Sequence, residues 1–203
     1  MNVATIDLGS NSFLLAIFEM ENNKIISNIH DECVITRLSE GVDKNKILSA
    51  AALKRAKDCL TNFRKTIDKY NVEKIVAVST SAARDAKNKE EFLKIGNDLN
   101  IPVQIIPGQK EAELTFKGAT FEHENPKDYC VIDVGGGSTE IITQSDQIGS
   151  FSFDVGSVRL TEKFITSFPT SDVEIKNLED FIKANFEQKK ELFSNLQNKK
   201  VIA

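Results

Sequence analysis

Two segments of the chain share one chemical design. Ile6-Asp7-Leu8-Gly9-Ser10-Asn11-Ser12 and Ile132-Asp133-Val134-Gly135-Gly136-Gly137-Ser138 each carry an aspartate out of an apolar run into a turn of small residues. Glycine lets a backbone come close to an anion, and successive N–H groups in such a bend form a phosphate nest. Asp7 and Asp133 offer hard oxygen donors to a hydrated Mg²⁺ that bridges phosphate oxygens. Glu140 follows the second turn and is a candidate for binding metal or water; as a plain strand residue it would be solvated. A single copy reads equally as a β-hairpin turn, in which Gly, Asn and Ser serve only backbone geometry. Two copies in equivalent places favour a phosphate clamp.

Three more segments carry candidate chemistry. Ser79-Thr80-Ser81-Ala82-Ala83-Arg84 ends a strand and opens a helix. Hydroxyl and N–H groups at a helix start favour anions, and Arg84 can fork onto a phosphate. The same residues also make an ordinary helix cap with a surface arginine. Pro107-Gly108-Gln109-Lys110-Glu111 starts another helix, where Glu111 either activates a water or only stabilises the helix N-terminus. Asp154-Val155-Gly156-Ser157-Val158-Arg159 enters a third helix. The Gly156 and Ser157 N–H groups are candidates for a phosphate, and Arg159 with Glu162 reads as an i,i+3 surface pair.

The elements that must position these residues follow a doubled order. Val3–Leu8, Phe13–Glu19 and Ile25–Leu38 predict an antiparallel meander. Apolar spacing predicts a helix over Ser49–Tyr70, capped by Ser49. Strands at Lys74–Val78 and Val103–Ile106 and helices at Ala82–Ala86, Lys89–Leu99 and after Pro107-Gly108 complete the order βββαβαβα. It then restarts. Strands are predicted at Tyr129–Val134, Thr139–Thr143 and Ile148–Val155, with a turn over Gln144–Gln147. Helices follow over Ser157–Phe168 and Asp172–Leu196, and a last strand begins at Lys200. Asp7 and Asp133 lie 126 positions apart, and so do Lys74 and Lys200. That register predicts an internal duplication: a first lobe over 1–125, and a partial second lobe over 126–203 that breaks off in its fourth strand.

Composition narrows the function class. The 203 residues carry a net charge of -4, which argues against general nucleic-acid binding. No apolar run approaches the roughly 20 residues of a membrane helix, and the first residues read as a strand and not as a signal peptide. Cys33, Cys59 and Cys130 lack metal-ligand or disulfide spacing, so reduced thiols and a cytoplasmic setting are expected.

Five stretches in order, IDLGSNSF, STSAARDAKN, PGQKEAEL, VIDVGGGSTE and DVGSVRLTEKF, carry a family resemblance. The chain resembles the exopolyphosphatase/guanosine pentaphosphate phosphohydrolase (Ppx/GppA) family of the actin-like ATPase superfamily. The resemblance implies an α/β fold of ribonuclease H-like lobes with a cleft between them. It implies hydrolysis of the terminal phosphoanhydride of inorganic polyphosphate, or of the 5′-γ-phosphate of guanosine pentaphosphate. By motif, Glu111 would be the catalytic base, with Asp133 and Glu140 serving metal and water beside Asp7. Asn11, Ser12, Arg84, Gly135, Gly136, Gly137, Ser138, Gly156 and Ser157 would hold phosphates. Mg²⁺ or another divalent cation is the expected cofactor, and the full-length protein is expected to be a homodimer.

The chain departs from the family pattern in two places. Leu14 stands where many members carry Arg or His, which leaves the substrate preference open. Lys110 stands where many have Glu, and this change is expected to be tolerated. Family members continue into a Gly-Gly-Thr phosphate motif, so a 203-residue piece is expected to have little activity alone and to self-associate. A phosphate-chain or alarmone binding module without turnover is the alternative class, and a kinase of the same superfamily is a third.

Overall fold

The computed structural model describes residues 1–203 apart from 146–147, 189–190, 192–195 and 197. The chain separates into two compact units, Met1–Pro107 and Gly108–Ala203.

In the first unit β1 (Asn2–Leu8), β2 (Ser12–Glu21) and β3 (Lys24–Ile35) form the predicted antiparallel meander. Asn22 and Asn23 turn the chain between β2 and β3 at positive φ, which asparagine tolerates. The sequence predicts β3 to reach Leu38, yet the strand ends at Ile35. The Thr36 and Arg37 N–H groups leave the sheet to bond the Asn11 carbonyl at 2.9 and 2.8 Å. A single helical turn, α1 (Val42–Asn45), comes next and has no counterpart in the predicted order.

Ser49 caps α2 (Ala50–Lys69), accepting the Ala52 N–H at 3.1 Å. The buried face of α2, including Ala56, Leu60, Phe63 and Ile67, joins Ile6, Leu8 and Phe13 in one core. Each fully buried large side chain there contributes roughly 1.5–3 kcal/mol. β4 (Lys74–Ser79) returns parallel to β1. Then come α3 (Ser81–Asp85), α4 (Lys89–Asp98) and β5 (Val103–Ile105), giving the sheet order β3-β2-β1-β4-β5.

The second unit opens with α5 (Gly108–Ala119). The sequence predicts a first lobe running to residue 125, which would include this helix. By packing, α5 goes with the second unit, because its Ala112 and Phe116 are buried against Val131 and Ile142. β6 (Tyr129–Val134), β7 (Thr139–Gln144) and β8 (Ile148–Phe153) repeat the meander. α6 (Ser157–Phe164), α7 (Asp172–Glu187) and β9 (Lys200–Ile202) follow, and the sheet order is β8-β7-β6-β9.

The duplication extends to hydrogen-bond register. Val3 pairs with Lys74 across β1 and β4, and Tyr129 pairs with Lys200 across β6 and β9. Asp7 faces Leu14, and Asp133 faces Glu140.

Both terminal helices differ from their predicted lengths. The helix predicted to Phe168 stops at Phe164, and Ile165 is extended. The Glu174 carboxylate accepts the Thr166 and Ser167 N–H groups at 2.7 and 3.2 Å, which draws the chain out of the helix. The helix predicted to Leu196 is described to Glu187; positions 189–190 and 192–195 of that prediction lie outside the described residues, as do 146–147 of the predicted turn. On α7, Leu178, Phe181, Ile182 and Phe186 pack half-buried against Cys130, Ile141 and Phe153. No described helix is long and apolar enough to cross a membrane.

Candidate active site

In the first unit the site candidates gather at the C-terminal ends of the parallel strands, where open α/β sheets bind ligands. Asp7 stands exposed near the end of β1, beside Val78 of β4. The turn that follows is closed by the Gly9 N–H donating to the Ser12 carbonyl at 3.1 Å. Two more of its carbonyls are held from one side. Ser10 accepts from the Ser39 N–H at 2.9 Å, and Asn11 accepts from Thr36 and Arg37. In a planar trans peptide the next N–H points the opposite way. The Asn11 and Ser12 N–H groups therefore face away from the 36–39 segment.

Side chains tie this turn to the start of α3. The Ser10 and Ser81 hydroxyls lie 2.8 Å apart, and the Ser79 hydroxyl donates to the Leu8 carbonyl at 2.9 Å. Arg84 is half-buried on α3 and donates to the Ile106 carbonyl at 3.1 Å, which fixes its guanidinium at the end of β5.

The second unit repeats the arrangement with more chemistry. The Gly135 N–H donates to the Ser138 carbonyl at 2.9 Å, as Gly9 does to Ser12. The start of α6 lies directly on the turn. Ser157 N–H donates to the Gly135 carbonyl at 3.0 Å, and the Val158 and Arg159 N–H groups donate to Gly136 at 2.9 and 3.0 Å. Gly156 is required for this approach: a Cβ there would sit 2.4 to 2.5 Å from Gly137 C, Gly136 O and Ser138 N. The Ser157 N–H, expected to meet a phosphate, is thus engaged on the turn, and its hydroxyl also donates to Gly135 at 3.4 Å. With these carbonyls held by α6, the Gly136 and Gly137 N–H groups face the other way. The nest belongs to the glycine turn, and the helix start shapes it.

Asp133 and Glu140 are directly opposed on β6 and β7, so their side chains share one sheet face. Ser152, next along that row, donates its hydroxyl to Glu140 at 2.8 Å. Asp133 is half-buried, and desolvation pushes its carboxyl above the ordinary range. Val131, two residues before Asp133, carries the same face and packs on α5. Glu111, half-buried in the first turn of α5, therefore belongs to the helix that covers the carboxylate face. Lys110 is turned to Glu113 at 3.0 Å.

The two copies are not equivalent in charge. Leu14 occupies the first-copy position that Glu140 holds in the second, so only the second turn has a carboxylate pair. Two carboxylates with a serine hydroxyl fit Mg²⁺, which keeps several waters and takes one or two carboxylates. Among the described residues no group of three or more His, Cys, Asp and Glu is placed to hold a metal ion. The cysteines stay out of the chemistry. Cys59 and Cys130 are buried, and burial pushes the Cys59 thiol up to about 12.

Sequence reasoning missed several groups. Arg159, read from spacing beside Glu162, donates through Nε to the Gly137 carbonyl at 2.6 Å and pairs with Asp154 at 3.5 Å. Ser152 is a further contact that nothing in the spacing marks, whereas Ser10 and Ser81 lie in segments the sequence singles out and only their pairing, 71 positions apart, is hidden.

Comparison with known proteins shows the family and the fold. Residues 16–202 match the model of the Ppx/GppA phosphatase family. The chain is 38% identical over 209 residues to a bifunctional 3-dehydroquinate synthase/phosphatase of Fusobacterium nucleatum, covering 90% of this chain and 31% of that protein. It is 33% identical over 196 residues to exopolyphosphatase 2 of Mycobacterium tuberculosis, covering 91% of this chain and 61% of that protein. The crystal structure of an exopolyphosphatase from Cytophaga hutchinsonii superposes with a TM-score of 0.86 at 27% identity, over 99% of this chain and 65% of that one.

Proposed function

The chain belongs to the Ppx/GppA phosphatase family, and on that premise we propose that it is the phosphate-holding and water-activating part of a phosphoanhydride hydrolase. The substrate class is inorganic polyphosphate, the 5′-γ-phosphate of guanosine pentaphosphate, or both. One observation carries the reading: an outward-facing N–H turn stands next to the opposed Asp133 and Glu140 carboxylates.

The reaction is in-line attack of water on the terminal phosphorus. Glu111 takes the proton of the attacking water as the new P–O bond forms. The bridging P–O bond breaks, and its electron pair leaves with the shortened phosphate chain. The glycine-turn N–H groups of the second unit neutralise phosphate charge, and the first unit offers its own turn N–H groups and Arg84 for phosphate, since phosphoryl transfer depends on position and electrostatics more than on covalent chemistry. Asp133 and Glu140 would hold Mg²⁺ in the second unit, and Asp7 offers a carboxylate at the equivalent turn of the first. A bound Mg²⁺ supplies charge neutralisation at the phosphate oxygens.

The test is turnover of polyphosphate and guanosine pentaphosphate in ¹⁸O-labelled water. The expected product is inorganic phosphate with one labelled oxygen. Unlabelled phosphate passed to an added acceptor would mean a kinase, and binding without release would mean a sensor module.

A further inference from the structure

We infer that Arg159 is a positioning residue that sets the Gly137–Ser138 peptide, and through it the Ser138 N–H, for phosphate. This rests on the functional reading above. The Arg159 Nε donates to the Gly137 carbonyl at 2.6 Å, while its own backbone N–H donates to Gly136 at 3.0 Å. One residue thus holds two successive carbonyls of the nest from the same side. Planarity then directs the Ser138 N–H to the side where the Gly136 and Gly137 N–H groups already point. Asp154 pairs with the guanidinium at 3.5 Å and keeps the fork in place, and the side chain is 28% exposed.

The first copy supports the assignment independently. Asn11 is the counterpart of Gly137, and its carbonyl is also held, there by the Thr36 and Arg37 N–H groups. Both copies fix the same carbonyl, by backbone donors in one and by a side chain in the other. In the second turn that peptide follows three glycines and is freer to rotate. A guanidinium is suited to the task because its donors lie in a rigid plane.

The probe is inorganic tripolyphosphate, with the protein at its natural length. Arg159→Met keeps the aliphatic stem and removes the donors; Arg159→Lys returns one. Arg159→Met is expected to weaken tripolyphosphate binding about tenfold, the scale of one charge-assisted hydrogen bond. KM should rise by a similar factor with kcat nearly unchanged, and the Ser138 amide resonance should shift in the ligand-free protein. Arg159→Lys should recover about half of that loss in free energy, leaving a deficit of about threefold. Unchanged affinity with an unchanged Ser138 resonance would overturn the assignment, as would a fall in kcat alone. If Arg159→Met does not fold, Arg159→Lys decides: a loss of about threefold supports the role, and wild-type affinity overturns it. If the wild-type protein neither binds tripolyphosphate nor releases phosphate, the functional reading fails. The Ser138 resonance in Arg159→Met still decides whether Arg159 holds the peptide.

Discussion

At the scale of single residues, the contrast between Asp133 and its surroundings is the most informative. Its carboxyl is half-buried at the end of β6, and burial raises its pKa. An unfolded aspartate releases its proton near pH 3.9, whereas this one holds it to higher pH. The destabilisation is therefore absent below about pH 4 and fully present once pH exceeds the folded value. Asp133→Asn should raise the melting temperature at pH 7, and the gain should vanish in acid. Added Mg²⁺ should stabilise the wild type and not the variant, because a ligand bound only by the folded state shifts unfolding. Thermal unfolding with and without Mg²⁺ at both pH values checks each part. No gain at pH 7 would mean that the carboxylate is already offset in the fold.

At the scale of elements, the contact between α6 and the glycine turn governs the site. A Cβ on Gly156 would lie 2.4 to 2.5 Å from three backbone atoms, whereas one on Gly9 would lie 3.0 Å from the Ser12 carbonyl oxygen and one on Gly135 3.3 Å from that of Ser138. Backbone cannot move aside as a side chain can. Gly156→Ala should cost about 3 kcal/mol and Gly135→Ala well under 1, with Gly9→Ala between them. Denaturant unfolding gives the ranking, and equal costs would mean that α6 yields freely. Much of the element order was legible because apolar period and turn residues act locally. The Asp-x-Gly turns, the Ser49 cap and the 126-residue register could be read directly from spacing. The ends of β3 and α6 could not, because each is set by a bond to another element: Thr36 donates to Asn11 in the turn before β2, and Thr166 donates to the Glu174 side chain on α7. Arg159 was hidden for the same reason: its partner carbonyl is far away in sequence, while Glu162 is only three residues off.

At the scale of the whole molecule, the chain is two related α/β units that share one turn design and differ in charge. The first presents a turn with Asp7 and Arg84, and the second adds the Asp133–Glu140 pair and the helix that carries Glu111. Placing α5 in the second unit puts all three proposed catalytic carboxylates, Glu111, Asp133 and Glu140, in one packed body. The chain spans 61% of the mycobacterial relative, so turnover is best measured with the protein at its natural length. The central claim is that Glu111 activates the attacking water. The direct measurement is phosphate release from polyphosphate with Mg²⁺, comparing wild type with Glu111→Gln. The predicted result is a loss of about 10²–10⁴-fold in kcat with polyphosphate binding retained, the range of a lost general base. Turnover by Glu111→Gln within a few-fold of wild type would contradict it.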